Sequence, residues 1–167
     1  DINDLENTIA EGFYVARSGR PGPVVIDLPK DVQNSITNYK GLKVKSMTSY
    51  KPAKKAKLNK IKEAIDIILK AKKPVIYSGG GVINSGQKAS SALTKLVDYL
   101  NIPITQTLMG LGAVSAKNKN FIGMLGMHGT YEANMAMHDC DVMLCVGARF
   151  DDRITGNLKY FSPNSKK

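Results

Sequence analysis

The chain has 167 residues, enough for roughly one ordinary domain of ~100–200 residues with a core of its own. Lys and Arg number 24 against 14 Asp and Glu, a net charge of +10. No apolar leader follows Asp1 and no run of ~18 apolar residues occurs, so a soluble protein with no membrane partner is expected. The charge is uneven. Lysines crowd the stretch from Lys40 to Lys73, where only Glu63 and Asp66 offset them. Nucleic-acid faces interleave Arg and aromatics with lysine, whereas Tyr39 and Tyr50 stand alone here. A solvated linker and helix face, with no nucleic-acid partner, is the expectation.

Taken in order, Leu5, Ile9, Phe13 and Ala16 recur at near-helical spacing and predict a helix from about Asp4 to Arg17. Ser18-Gly19-Arg20-Pro21-Gly22-Pro23 stops it. Val24 to Leu28 reads as a short strand, apolar on both faces, as in a buried parallel sheet. From about Asn34 to Lys57 periodicity disappears, and the composition is that of an inter-domain linker. Beyond it, Leu58, Ile61, Ile65, Ile68 and Leu69 form a helical stripe, and Pro74 to Tyr77 a strand ended by Gly79-Gly80-Gly81. A second stripe runs from Ala89 to Leu100. Pro103 to Thr107 reads as a strand, Thr130 to His138 as a helix and Asp141 to Val146 as a strand ended by Gly147. Alternating strands and helices mean βαβ units and a parallel sheet, an α/β fold with flanking helices. Cys140 and Cys145 read as small hydrophobes in a reducing compartment, neither a disulfide nor a zinc pair.

In open parallel sheets, ligands bind beyond the C-terminal strand ends. Each such end carries a distinctive sequence. Gly79-Gly80-Gly81 lets backbone approach a phosphate at a helix start, or is a plain flexible turn. It is not the dinucleotide fingerprint, since Asn84 holds the third glycine's place, and no G-K-[ST] follows for a P-loop. Thr107 to Gly112 is the second end. Leu125-Gly126-Met127-His128-Gly129 is the third, with His128 either a ligand contact or structural. The fourth, Gly147-Ala148-Arg149-Phe150-Asp151-Asp152-Arg153, aims the Arg149 fork at a pyrophosphate, or forms a surface ion-pair cluster. A phosphate-bearing nucleotide cofactor at the strand ends is therefore expected.

Three strings carry a more specific resemblance. Gly19-Arg20-Pro21-Gly22-Pro23-Val24, continuing to Pro29-Lys30-Asp31-Val32, resembles the end of the pyrimidine-binding domain of thiamine-diphosphate enzymes. Met124 to Gly129 and Gly147 to Gly156 resemble the acetolactate synthase catalytic subunits of that family. The resemblance covers essentially the whole chain. It implies three segments: residues 1–33 ending the pyrimidine-binding domain, a linker over 34–57, and a central FAD-binding domain over 58–167 lacking its final strands. It implies FAD, with thiamine diphosphate and Mg²⁺ in the full-length parent. FAD is implied although joining two 2-oxo acids with loss of carbon dioxide is no net oxidation. Implied FAD contacts are Arg20, Gly79, Gly80, Gly81, Thr107, Leu108, Met109, Leu125, Gly126, Met127, His128, Gly147, Ala148, Arg149, Asp151 and Arg153. Lys30, Met127, Asp152 and Arg153 are implied to border the substrate channel. The resemblance further implies a homo-oligomer, a possible regulatory small subunit, and a cytoplasmic enzyme of bacterial type, an organelle being left open. The glutamate that activates thiamine and the Gly-Asp-Gly…Asn motif that holds Mg²⁺ are not in the chain. The chain alone is therefore expected to have no catalytic residue, no metal site and no activity. A related carboligase, such as glyoxylate carboligase, is the alternative, and a non-catalytic basic binding module a further one.

Overall fold

A computed structural model describes residues 1–41, 47, 49–53 and 55–166. Contacts divide the chain into two compact units, Asp1–Lys57 and Leu58–Lys167.

The first unit is built on one long helix, α1 (Leu5–Arg17), entered through a 3-10 turn in which Asn3 N donates to the Asp1 carboxylate at 2.9 Å. The expected helix is present, and Ser18 closes it by donating its hydroxyl to Tyr14 O at 2.6 Å. The expected strand at Val24–Leu28 is not formed. Strand structure is a pairing state, and no described residue of this unit runs beside that segment. The segment instead folds over α1, where Ile26 lies against Gly12, so that a Cβ there would meet Ile26 Cδ1 at 2.7 Å. Lys30 opens a single turn, α2 (Lys30–Gln33). Residues 42–46, 48 and 54 of the expected linker lie outside the described residues. Its described parts are tied to α1: Lys40 N donates to Glu6 at 2.6 Å, and the Tyr50 hydroxyl donates to Ser18 O at 2.8 Å.

The second unit is a four-stranded, all-parallel sheet in the order β3-β2-β1-β4. The strands are β1 (Pro74–Ser78), β2 (Ile104–Gln106), β3 (Phe121–Met124) and β4 (Val142–Val146). Side chains alternate across a strand, so β1 feeds two cores. Ile76 faces one side with Ile104, Leu93, Val97 and Val114. Val75 and Tyr77 face the other with Met137, Cys140 and Met143. Full burial of one such side chain contributes about 1.5–3 kcal/mol, so the sheet and the helices covering it are the stable part of this unit.

Helix α5 (Gln87–Leu100) covers the first face with Leu93 and Val97, four residues apart on one stripe, and ends at Asn101 in the left-handed conformation. Helix α6 (Tyr131–Asp139) covers the second face with Ala133 and Met137. It starts where Thr130 accepts from Ala133 N at 3.2 Å. Helix α3 (Leu58–Leu69) also forms, but only Ala64 and Ile68 are partly buried. Ile68 packs on the first core, while Leu58, Ile61, Ile65 and Leu69 stay exposed.

Strand β3 has no counterpart in the sequence reading. Its pattern is interrupted by Gly123, whose φ of +99° lies at an irregularity in the β2–β3 register. A glycine inside a short apolar run signals such a bulge. The side chain of Thr130 fills the space where a Cβ would stand.

Candidate functional site at the C-terminal edge of the sheet

Chain order runs outward from β1 to β2 to β3, then returns to β4 on the other side of β1. The reversal lies between β1 and β4, where a doubly wound sheet places its ligand crevice. β1 ends at Ser78, and Gly79 leads into the short helix α4 (Gly80–Asn84). β2 ends at Gln106, and Thr107 caps a 3-10 turn at Leu108–Gly110 by accepting from Gly110 N. β4 ends at Val146 and continues through Gly147 to helix α7 (Asp152–Thr155).

These loops meet backbone to backbone. Gly79 N donates to Val146 O at 3.0 Å, Gly81 N to Gly147 O at 3.0 Å, and Thr107 N to Ser78 O at 2.9 Å. A Cβ on Gly81 would stand 2.8 Å from Gly147 Cα, and one on Gly110 would stand 2.8 Å from Gly79 Cα. Only glycines allow that approach. The Gly79–Gly81 turn was expected to be either a phosphate contact or a plain turn. Two of its three N–H groups, those of Gly79 and Gly81, donate to Val146 O and Gly147 O, so the turn is built into the edge.

What the packed loops present outward differs in kind. Leu108, Met109 and Met127 are exposed apolar side chains. Arg149 is exposed, and its ionic neighbour among the described residues is Asp151, with Nη2 and Oδ2 3.8 Å apart. Such a half-solvated pair is worth less than about 1 kcal/mol, which leaves the guanidinium available to a stronger anion. The other Asp151 oxygen, Oδ1, is buried without a hydrogen-bond partner in the described structure. A buried carboxylate oxygen left that way fits a donor brought by a ligand. His128 is exposed in the turn before α6. That turn is held from two directions: Met127 N donates to Arg153 O at 2.9 Å, and Asn134 both accepts from Gly126 N and donates to Gly126 O. Leu125 and Gly126 are buried beneath it, Leu125 within the second core.

The edge thus gathers Gly79, Gly80, Gly81, Thr107, Leu108, Met109, Gly147 and Ala148 in one cluster. Leu125, Gly126, Met127 and His128 lie beside it, tied to Arg153, with Leu125 N reaching Gln106 O at 3.3 Å. Asp152 opens α7, and its carboxylate accepts from Arg153 N, so Asp152 is spent locally. Arg20 and Lys30 belong to the first unit. Arg20 is exposed in the turn after α1, and Lys30 is exposed at the head of α2.

Two contributors escaped the sequence reading. Asn134 fixes the Gly126 turn from the first turn of α6; an amide there, facing the preceding loop, was the available signal. Tyr77 is fully buried in β1, and its hydroxyl donates to Arg149 O at 3.0 Å. Burial, with the Asp151 charge second, pushes its ionisation well above the usual tyrosine range, so it acts only as a neutral donor. A tyrosine inside a wholly apolar strand needs a partner for its hydroxyl, and that signal was legible.

The model of the thiamine pyrophosphate enzyme central domain matches residues 61–167. Over 164 residues, 97% of this chain, the sequence is 49% identical to the acetolactate synthase large subunit of Buchnera aphidicola subsp. Schizaphis graminum. It is 48% identical, again over 97% of the chain, to the acetolactate synthase isozyme 3 large subunit of Escherichia coli. A probable acetolactate synthase large subunit of Methanocaldococcus jannaschii is 43% identical over 98% of the chain. The chain spans 28% of the length of each of these relatives.

Proposed function

This chain belongs to the thiamine pyrophosphate enzyme central-domain family, and from that premise we propose that it is the cofactor-holding middle of an acetolactate synthase large subunit. In this reading the C-terminal edge of the sheet binds FAD and borders the substrate channel. The full-length enzyme condenses two 2-oxo acids, pyruvate with pyruvate or 2-oxobutyrate, releasing carbon dioxide toward branched-chain amino acids. It works in the cytoplasm as a homo-oligomer, with a regulatory small subunit as a further partner. Thiamine diphosphate and Mg²⁺ belong to other parts of the full-length subunit, so this segment by itself is inactive.

The observation that carries the reading is the chemistry of the edge. One guanidinium with only a weak local partner, one buried carboxylate oxygen without a donor and a rim of exposed Leu and Met side chains converge there. That set fits FAD part by part. Arg149 would take the diphosphate, where a planar fork binds two oxygens at once. Asp151 Oδ1 would accept from a hydroxyl or ring N–H. Leu108, Met109 and Met127 would cover a flat apolar ring, with His128 beside them. Met127, Asp152 and Arg153 would border the substrate channel. FAD would supply a rigid tricyclic ring and a charged tether. Carbon–carbon bond formation would remain the task of thiamine diphosphate.

The test is an assay of the full-length protein with pyruvate, thiamine diphosphate, Mg²⁺ and FAD. Acetolactate and carbon dioxide are expected. A folded, flavin-loaded protein that makes no acetolactate but condenses glyoxylate would move the assignment to the related carboligase.

A further inference from the structure

We infer that Tyr77 is the positioning residue that sets Arg149 at the cofactor edge. Its role rests on the FAD reading above.

The segment carrying Arg149 has no regular structure of its own. It lies between the end of β4 and α7, and Gly147 enters it with a φ of +62°. The guanidinium does not fix it, because the Arg149 side chain is 61% exposed and its ionic neighbour among the described residues is 3.8 Å away. The backbone is fixed from below instead. Tyr77 stands one residue before the end of the interior strand β1 with no exposed surface, and its hydroxyl donates to the carbonyl of Arg149 itself. The next residue is held by the same side chain. The Phe150 ring lies 5.7 Å from the Tyr77 ring and also meets the Phe161 ring at 5.9 Å. A phenylalanine at position 77 would satisfy the apolar surroundings equally well. The hydroxyl is therefore informative: it links a rigid strand to the one carbonyl that sets where the Arg149 side chain begins.

The experiment is a double-mutant cycle on FAD affinity in the full-length protein, stripped of flavin and titrated while flavin fluorescence is followed. Tyr77→Phe in the Arg149 background is expected to weaken FAD by about threefold to tenfold, the effect of one neutral hydrogen bond. In the Arg149→Ala background the same change is expected to cost less than about twofold, because the group it positions is gone. An equal loss in both backgrounds would make Tyr77 merely structural and overturn its positioning role. If affinity falls in Arg149→Ala but not in Tyr77→Phe, Tyr77's role is overturned while the FAD site stands. Unchanged affinity in Arg149→Ala removes Arg149 from the FAD site and Tyr77's role with it. Should Tyr77→Phe not yield folded protein, judged by its far-ultraviolet spectrum, Phe150→Leu carries the same cycle. It keeps the hydroxyl, loosens the ring contact and is expected to weaken FAD about twofold to fivefold, again only when Arg149 is present.

Discussion

The two ends of the parallel sheet use polar groups in opposite ways. At the N-terminal end they are spent on the chain itself. The Asp141 carboxylate accepts from Lys72 N at 2.7 Å and from Lys73 N at 2.9 Å, joining the approaches to β1 and β4. Lys166 closes the same end by pairing with β4: Met143 N donates to Lys166 O, and Lys166 N to Asp141 O. Nearby, the buried Cys140 thiol meets the Ser162 hydroxyl at 3.1 Å. At the C-terminal end the loops pack backbone upon backbone, pinned by a few neutral side chains such as Thr107, Asn134 and Tyr77, while the Arg149 guanidinium has only a weak partner and Asp151 Oδ1 has none among the described residues. A sheet end that satisfies its own side chains is scaffold. One that packs its backbone and leaves charged side chains uncommitted has groups available to a ligand.

If that contrast is right, substitutions at the two ends should fail in different assays. The largest effect is expected from Gly81→Val, which drives a side chain into the Gly147 backbone. Stability should fall by about 3 kcal/mol, the range for overpacking against an unyielding neighbour, and flavin binding should fall with it. Thermal melting and flavin titration would report both losses. Next comes Arg149→Ala. FAD affinity should weaken by roughly 1.5–3 kcal/mol, the scale of a hydrogen bond to a charged group, with the melting temperature nearly unchanged. A drop in stability without a drop in affinity would invert the contrast. Smaller again is Thr130→Ala, which removes the cap of α6 and should cost about 1 kcal/mol in denaturant unfolding.

Asp141→Asn should give the smallest change and the most distinctive one, because it lies at the scaffold end. The two backbone N–H groups, Lys72's first, hold its carboxyl below the usual aspartate range. A depressed pKa stabilises the fold once the group is ionised in both states, above about pH 4. That contribution is lost as pH falls through the folded-state value. The melting-temperature gap between wild type and Asp141→Asn should therefore be constant near neutrality and close as the solution is acidified below about pH 4. FAD affinity should not change, and a weaker affinity would mean that the two ends are coupled.

Periodicity made the scaffold legible before the edge. The stripe from Leu93 to Val97 and the run Val75-Ile76-Tyr77 announced α5 and β1 because period and burial agree there. The Leu58–Leu69 stripe announced a helix equally well but not its surroundings, since Leu58 and Leu69 remain exposed in this unit. Gly123 hid β3 by breaking a run only four residues long. Val24–Leu28 has strand composition, but composition cannot supply a neighbour to pair with. At the site, the strand-end position of Arg149 followed from sheet logic, whereas His128 was placed only by the helix that follows it, because the strand before it went unread. The use of the glycines did not follow, because the sequence cannot say whether a close approach is to a ligand or to another loop. The hydroxyl of Tyr77 signalled the need for a partner, but that partner, the Arg149 carbonyl 72 residues on, could not be read from spacing.

The most direct measurement is a titration of FAD into the flavin-stripped full-length protein, followed by flavin fluorescence, at physiological salt. Saturable binding with one FAD per chain is predicted, weakened by Arg149→Ala and indifferent to Asp141→Asn. A wild-type protein that folds and shows no saturable change, or one whose affinity ignores Arg149, would contradict the assignment of this edge to the cofactor.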